Sequence, residues 1–327
     1  MPNFFSLTNR LAGIDIGFNT VKVVELYKKG KKIKVSGSNM VGIPPASINK
    51  NGFNKKKEIA GAIVEALKRA QPQPIKVDKV VTALPESLIF SKIISISTEI
   101  PFKQIEETVL LQVSDLLPWP TAESYFDWRL LPITDPKAKE RKIFVAASAK
   151  KLVDDLVEII NLTKLNLIAI ETKPIAATRA LISIKDKNPI IIIDIGAEHS
   201  SASVIDNGII QFASTIPIGA NIVEVPATGV PSVNELNKLA DHLIENLNNN
   251  INYFNTRLKP GGKISQIRLC GGGSNLTGID KVLESRIKIS TVQGNASINF
   301  NNKIHYDPTA LQIFTVSIGL ALRELIK

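Results

Sequence analysis

The sequence predicts an α/β protein made of two related lobes, with a smaller module inserted into the first lobe. An apolar run leads into Asp-Ile-Gly twice, within residues 13–22 and 191–201, and hydroxyl-bearing residues follow each time. Both halves open with the same predicted order of strand, turn, strand, turn and strand, which indicates an internal structural duplication. With 327 residues, of which 44% are hydrophobic, the chain is long enough to form two cores.

The first lobe is predicted over residues 1–89, 166–188 and 308–327. Four strands are expected at residues 11–16, 21–27, 33–41 and 79–84. Ahead of the fourth strand, Ile59, Ile63 and Leu67 recur at helical spacing and predict an amphipathic helix. The last helix of the chain is expected to begin at Pro308 and to continue unbroken through Leu325.

A module with a different pattern is predicted over residues 90–165. Pro101 suits the first turn of a helix whose apolar face carries Ile105, Val109 and Val113. The sequence Leu-Pro-Trp-Pro at residues 117–120 ends this helix. Strands are expected at residues 92–97, 124–131 and 142–147. A second helix and a strand at 166–170 then return the chain to the first lobe.

The second lobe is predicted over residues 189–307, with a smaller subdomain at about 219–260. Its first strand is a continuous apolar run, which is typical of a strand buried on both faces. Ser232 and Glu235 form a capping box at the start of a long helix. A later strand runs directly into the triple glycine Gly271, Gly272 and Gly273.

Composition excludes several classes of protein. The formal charge is +10, but no aromatic residues alternate with the lysine clusters, so a nucleic-acid surface is not expected. The single cysteine, Cys270, excludes a disulfide framework and is predicted to be a small core residue. No apolar stretch approaches the length of a membrane span, and Met1–Arg10 lacks the pattern of a signal peptide. We therefore expect a cytoplasmic protein.

The two Asp-Ile-Gly turns have the chemistry of phosphate-binding loops that face each other across one nucleotide. A glycine at such a turn lets backbone N–H groups approach phosphate oxygens, hydroxyl groups add donors, and a lysine supplies positive charge. The aspartates suit Mg²⁺ held through water. The candidate nucleotide-binding residues are Asp15, Gly17, Phe18, Asn19, Thr20, Lys22, Asp194, Gly196, Ala197, Glu198, His199 and Ser200, and the metal candidates are Asp15 and Asp194.

A third glycine-rich motif follows a strand of the second lobe. Its backbone can lie flat against a base or a ribose, which adds Gly271, Gly272, Gly273, Ser274 and Asn275 to the candidates. Each motif alone is common, whereas the order of all three on matching sheet edges favours a nucleotide site. No catalytic residue is assigned.

Because the three motifs occur in this order, the chain resembles the actin-like, ribonuclease-H-like superfold of actin, Hsp70, sugar kinases and FtsA. The two phosphate motifs, the glycine motif and two connecting helices carry the likeness. Within that superfold it resembles the PilM family of type IV pilus assembly proteins. The supporting stretches are residues 13–26, 100–131 and 317–323, and the second includes Leu-Pro-Trp-Pro and Tyr-Phe-Asp-Trp-Arg-Leu-Leu.

The resemblance implies an ATP-binding cytoplasmic scaffold at the inner membrane, with Mg²⁺ as the metal. It implies that residues 90–165 form an FtsA-like 1C subdomain. It also implies that the N-terminal peptide of a PilN-like membrane protein binds in a groove between this subdomain and the first lobe. Self-association is a second option, and the membrane is reached only through partners. Glu235 and Lys238 are the nearest candidates for ribose or adenine contacts.

Lys173 is the main departure from the superfold's pattern. Hsp70-like ATPases carry a glutamate immediately before the proline of the first connecting helix, whereas here Lys173 precedes Pro174 and Glu171 lies two residues earlier. A cationic lysine does not accept a proton from water unless its pKa falls far. We therefore expect nucleotide binding with weak or absent hydrolysis.

Two alternative functions remain at this point. A sugar- or acetate-kinase-like phosphotransferase would need a catalytic base between the lobes, for which His199 is the one candidate. A filament-forming division protein like FtsA would be expected to carry a basic amphipathic helix beyond the helix that contains Gly319, and the sequence has none there.

Overall fold

A computed structural model describes residues 10–30, 32–132, 139–183, 185–298, 300 and 308–326. The prediction for the N-terminal segment falls on residues 1–9, outside this range. Among the described residues, no helix combines the length and the apolar character that crossing a bilayer requires.

The first lobe and the inserted module alternate strands and helices. Their elements are β1 (Arg10–Ile16), β2 (Thr20–Lys29), β3 (Lys32–Gly42), β4 (Ile48–Asn49), β5 (Gly52–Phe53), α1 (Lys56–Lys68), β6 (Lys79–Leu84), β7 (Phe90–Ser97), α2 (Ile105–Ser114), β8 (Ser124–Leu130), β9 (Glu140–Ala149), α3 (Lys150–Leu162), β10 (Asn166–Thr172) and α4 (Lys173–Leu181). The predicted strands of the first lobe are confirmed by β1, β2, β3 and β6.

The remainder of the chain forms the second lobe and returns to the first. Its elements are β11 (Ile190–Ile195), β12 (Ser200–Asp206), β13 (Ile209–Ile216), α5 (Val233–Tyr253), β14 (Gln266–Cys270), α6 (Ile279–Ile287), β15 (Thr291–Gln293), α7 (Pro308–Ile313) and α8 (Thr315–Ala321). Ser232 caps α5 as predicted, since its side chain accepts a hydrogen bond from the Glu235 N–H.

Two five-stranded sheets share one topology. The first has the order β3-β2-β1-β6-β10 and the second has the order β13-β12-β11-β14-β15. In both, the first three strands are antiparallel neighbours and the last two run parallel to the central strand. Asp15 pairs with Ala83 in the first sheet, as Asp194 pairs with Cys270 in the second. The predicted duplication is therefore confirmed at the level of register.

The inserted module is built on a small antiparallel sheet with the order β7-β9-β8. One face packs against α2 through a core of Ile94, Ile96, Ile105, Val109, Val113, Ile143 and Val145. Helix α3 lies within the range predicted for this module, yet Leu152, Leu156 and Ile159 pack into the core of the first lobe. The domain boundaries stay a prediction.

Helices α4 and α8 lie in the core that the two sheets share. This core joins Val24 of β2, Ala180 of α4, Ile192 of β11 and Ile318 of α8. The helices cross in backbone contact, because a Cβ atom on Gly319 would lie 1.9 Å from the carbonyl oxygen of Ala176. The lobes are therefore connected by a helix pair that leaves no room for a side chain at the crossing.

The last helix differs from its prediction. A single helix through Leu325 was expected, but α7 ends at Ile313 and α8 begins at Thr315. The Gln312 carbonyl accepts a hydrogen bond from the Gly271 N–H at 3.0 Å. This tertiary bond takes a carbonyl away from the regular helical pattern. The prediction of an unbroken helix was therefore wrong, for a reason that lies in the other lobe.

The helix crossing leads to the first testable prediction. We expect Gly319→Ala to lower the free energy of unfolding by about 1–3 kcal/mol, the usual range for overpacking a tight contact. Gly61→Ala is the matched control, because Gly61 lies in α1 with open space around its Cβ position. There alanine adds up to about 1 kcal/mol through helix propensity. Urea unfolding of both variants provides the measurement, and equal stability of the two would contradict the close crossing.

Candidate functional site

A cleft between the lobes collects most of the predicted nucleotide residues. Asp15 and Asp194 are the penultimate residues of β1 and β11, so the matching sheet edges place both carboxylates in the same cleft. The candidates that line it are Asp15, Gly17, Phe18, Asn19, Thr20, Lys22, Asp194, Gly196, Ala197, His199, Ser200, Gly271 and Gly272.

The two Asp-Ile-Gly turns have the same local geometry. In the first, the Gly17 N–H donates to the Thr20 carbonyl at 2.9 Å, and in the second the Gly196 N–H donates to the His199 carbonyl at 3.1 Å. Each bond closes a tight turn between the first two strands of its sheet. The duplication therefore extends to the hydrogen bonds of the loops.

Side-chain contacts near the two turns join the lobes across the cleft. The rings of Phe18 and His199, one from each turn, stack with centroids 4.7 Å apart and an interplanar angle of 30°. The Asn19 side-chain amide donates to the side-chain oxygen of Asn221 at 3.5 Å. The enclosed volume is about 90 Å³. Ligand pockets usually measure about 300–1,000 Å³, so the cleft is small while the two turns are in contact.

A buried ion pair dominates the electrostatics of the cleft. The Lys173 ammonium lies 2.7 Å from Asp15 Oδ1, and Lys22 lies 3.4 Å from Asp15 Oδ2. Lys173 also donates to the Ile16 carbonyl at 3.1 Å. Burial alone would raise the pKa of Asp15, but the two ammonium charges outweigh it and lower the pKa to about 2. Asp15 is therefore a carboxylate at neutral pH, with a cation on each oxygen.

Burial raises the pKa values of the other two acidic residues of the cleft. Burial raises the pKa of Asp194, opposed by Lys173 and reinforced by the like charge of Asp15. Burial also raises the pKa of Glu86 to about 7, although the charge of Lys173 opposes it. The carboxylates hold the pKa of Lys173 above its usual value against the effect of burial. The lysine charge thus acts on all three acids.

Several predicted site residues do not line the cleft. Glu198 lies within the second turn, and its side chain is exposed. Gly273 and Ser274 are buried in a short turn after β14, where the Ser274 hydroxyl donates to the Gly271 carbonyl at 2.8 Å, and Asn275 ends that turn. Glu235 and Lys238 pair with each other at the start of α5, and Glu235 accepts from the Glu224 N–H at 3.0 Å. The proposed roles of these residues stay predictions.

The structure adds cleft residues that no motif indicated. Pro85, Glu86 and Ser87 follow β6 in the way that the triple glycine follows β14. Extending the duplication from the phosphate loops to the next parallel strand would have found them. Thr215 comes from β13, and Gln312, Ile313 and Val316 come from α7 and α8, whereas Ser201 of β12 belongs to the second predicted motif. No sequence motif around Gln312, Ile313 or Val316 indicates a binding site.

A second, larger cavity of about 710 Å³ lies between the first lobe and the three-stranded sheet. Residues of β8 and β9 form one wall, while β10, α4 and the residues after α8 form the other. The lining combines charged and polar residues with apolar and aromatic ones, and the latter include Ile89, Tyr125, Phe126, Trp128, Phe144, Ile170, Ile175 and Ile326. We call this cavity the groove.

A buried carboxylate forms part of the groove wall. Glu171 pairs with Arg179 through two bonds of 2.7 and 2.8 Å, and Arg323 binds one of its oxygens as well. Arg179 also donates to the Gly319 carbonyl at 2.8 Å. These contacts tie the ends of β10, α4 and α8 together. Glu171 therefore belongs to the groove, and the residue before Pro174 in the cleft is a lysine.

Solved structures with the same fold include the PilM-PilN type IV pilus biogenesis complex. It is 21% identical, covers 96% of this chain and 98% of that chain, and has a TM-score of 0.79. The ethanolamine utilization protein EutJ from Carboxydothermus hydrogenoformans is 13% identical, with coverages of 96% and 89% and a TM-score of 0.53. A diol dehydratase-reactivating factor is 10% identical, with coverages of 96% and 99% and a TM-score of 0.50.

These matches confirm the predicted actin-like α/β fold. The assignment to a family comes from comparison of the sequence with protein-family models. The sequence model described as "Type IV pilus assembly protein PilM" matches residues 13–224, which is more than half of the chain and includes both phosphate loops and the three-stranded sheet. The chain therefore belongs to the PilM family of type IV pilus assembly proteins.

Proposed function

We propose that this protein is a nucleotide-binding scaffold at the cytoplasmic face of the inner membrane, and that it binds the N-terminal peptide of a PilN-like membrane protein. The groove is the observation that carries this proposal, because it lies between the first lobe and the inserted sheet. A PilM protein of the same fold has been solved in complex with PilN. The kinase and division-protein alternatives are not favoured by the family match.

The groove suits an extended peptide. Strand β8 is an edge strand of its sheet and lines the groove with Tyr125, Asp127 and Arg129 on one face. An unpaired strand edge offers backbone donors and acceptors to an added strand, and pockets beside it select alternate side chains. Phe126 and Trp128 alternate with these residues along β8; they pack against the core of the module and also contribute to the lining of the groove.

The charges of the groove are balanced. Three arginines, at positions 129, 179 and 323, are matched by Asp127, Glu171 and Glu324. The affinity for a peptide would therefore come mainly from apolar and aromatic contacts rather than from net charge. This pattern fits a peptide with an apolar side chain at every second position.

The cleft suits the phosphates of a nucleotide such as ATP. The glycine of each turn, Gly17 or Gly196, lines the cleft with its backbone. Lys22 and Lys173 supply two positive charges. Gly272 lines the cleft, and a Cβ atom at that position would meet no atom within 4 Å. This open surface beside the glycine motif is where a base or ribose would lie.

The nucleotide would be retained rather than turned over. The position before Pro174 holds an ammonium group in contact with Asp15, and the nearby Glu171 is held in the groove by two arginines. Neither group is free to accept a proton from an attacking water. A bound nucleotide would thus act as a structural ligand that joins the lobes.

The groove leads to a prediction for Tyr125→Ala. Tyr125 is 47% exposed on the groove wall, so its removal costs little folding energy but takes away an aromatic contact with the peptide. We expect a peptide from the PilN-like protein encoded with this chain to bind the variant at least about tenfold more weakly. Calorimetric titration gives both dissociation constants.

Tyr253→Ala is the matched control. Tyr253 is also 47% exposed, but it lies at the end of α5 and contacts Phe212, outside the groove. It should leave peptide affinity unchanged. Equal weakening by both variants would place the peptide elsewhere, and absence of binding to the native protein would reject the scaffold proposal.

The cleft leads to a prediction for Gly272→Leu. The new side chain has room in the free protein but would occupy the space of a bound nucleotide. A ligand at 100 times its Kd stabilises a protein by about 2.7 kcal/mol, so saturating ATP should raise the melting temperature of the native protein clearly. The variant should keep its own stability and lose that shift.

Gly61→Leu is the control for the same change in size, since Gly61 also has open space but lies on the exposed face of α1. It should retain the ATP shift. A native protein whose melting temperature does not respond to any adenine nucleotide would rule out the nucleotide part of the proposal.

A further inference from the structure

The pair of aspartates in the cleft was expected to hold Mg²⁺, and the side chains around them do not fit that ion. Both oxygens of Asp15 already face an ammonium group, Lys173 at 2.7 Å and Lys22 at 3.4 Å. Mg²⁺ requires near-octahedral oxygen ligands at about 2.0–2.1 Å, most of them water or phosphate oxygens, and a carboxylate that holds such a water needs an oxygen available to accept from it. Among the described residues, no group of three histidine, cysteine or acidic side chains comes together with the geometry of a metal site.

Lys173 is held where it is by more than Asp15. It is the first residue of α4, and its ammonium also donates to the Ile16 carbonyl at 3.1 Å, beside the first phosphate turn. Its side chain is only 15% exposed. The ammonium therefore contacts one carboxylate oxygen and one carbonyl oxygen, the two kinds of oxygen that would otherwise be available to a hard cation.

The charge balance of the cleft agrees with this placement. Asp15 and Asp194 carry two negative charges when ionised, Glu86 adds a third above its pKa of about 7, and Lys22 and Lys173 carry two positive charges. The two ammonium groups therefore already offset most of the carboxylate charge that would attract a divalent ion, at short distance and in a partly buried setting. Replacing Lys173 by glutamate would remove one positive charge and add one negative charge. The net change is equal in size and opposite in sign to the charge of one Mg²⁺.

We propose that the Lys173 ammonium takes the place of the divalent cation in this cleft, so that the polyphosphate of a nucleotide binds without Mg²⁺. The inference rests on the nucleotide site proposed above and specifies its ligand. Lysine is a compact point charge that binds phosphate oxygens well, and here two lysines converge on one carboxylate. The metal-free nucleotide is thus the preferred ligand, and magnesium ions in solution compete with the protein for it.

The first test needs no variant. Calorimetric titration of the native protein with ATP is carried out in EDTA and again in excess Mg²⁺. We expect the affinity in EDTA to be equal to or higher than the affinity in Mg²⁺. An affinity that falls about tenfold or more in EDTA would overturn the proposal, because that change equals the loss of a cation bridge worth about 1.4 kcal/mol.

Substitutions at position 173 provide the second test. Lys173→Gln and Lys173→Glu should each make ATP binding depend on Mg²⁺, with the glutamate variant showing the larger dependence. The matched control is Lys56→Gln, because Lys56 also bridges two carboxylates, Asp155 at 2.5 Å and Glu158 at 2.6 Å, away from the cleft. The control should behave as the native protein does. If ATP binding by the Lys56→Gln control also became dependent on Mg²⁺, the role proposed for Lys173 would be contradicted.

A third measurement separates this inference from the nucleotide proposal. Mn²⁺ binding is followed by electron paramagnetic resonance without nucleotide, for the native protein and for Lys173→Glu. We expect the variant to bind Mn²⁺ at least about tenfold more tightly, because a carboxylate replaces an ammonium group in the cleft. Adding Asp194→Asn should remove that gain.

The combined outcomes are distinct. If ATP fails to bind under any condition while the Mn²⁺ gain appears, the nucleotide part is overturned and the cation replacement is supported. If the native protein binds Mn²⁺ as tightly as Lys173→Glu, the cation replacement is overturned whatever ATP does. Circular dichroism melting of each variant verifies that it is folded during the titrations.

Discussion

Helix α8 crosses α4 in backbone contact at Gly319 and Ala176, and the positions of both candidate sites depend on this crossing. The helices lie in the core that the two sheets share, so they set how the lobes face each other. A side chain at the crossing would push them apart, and interiors packed at this density do not absorb such a shift locally. The shapes of the cleft and of the groove therefore depend on this one contact.

The same helices contribute to both sites. Lys173 begins α4 in the cleft and Arg179 lies in the groove less than two turns later. In the other helix, Val316 faces the cleft and Arg323, just beyond α8, faces the groove. A helix is stiff over so short a length. A change of helix angle at one site would therefore reach the other. Under the function proposed above, thermodynamic linkage would make the effect of nucleotide on peptide affinity equal to the effect of peptide on nucleotide affinity.

Much of this arrangement could be predicted because its signals are local. An apolar run followed by Asp-Ile-Gly reports a strand and its turn, so Asp15 and Asp194 were found without knowledge of the fold. The break after Ile313 could not be predicted, because it depends on a hydrogen bond from Gly271 in the other lobe. The contribution of Glu86 to the cleft was missed for a different reason, because it becomes visible only when the duplication is extended from the phosphate loops to β6, which pairs with β1.

The stacked rings of Phe18 and His199 have a kinetic consequence. They belong to different lobes, so a ligand that enters between the turns has to wait until the rings part. Association would then be limited by the rate of opening, and would level off as ligand concentration rises instead of increasing in proportion. A ligand would need the same opening in order to leave, so the ring pair would set the rates of both entry and release.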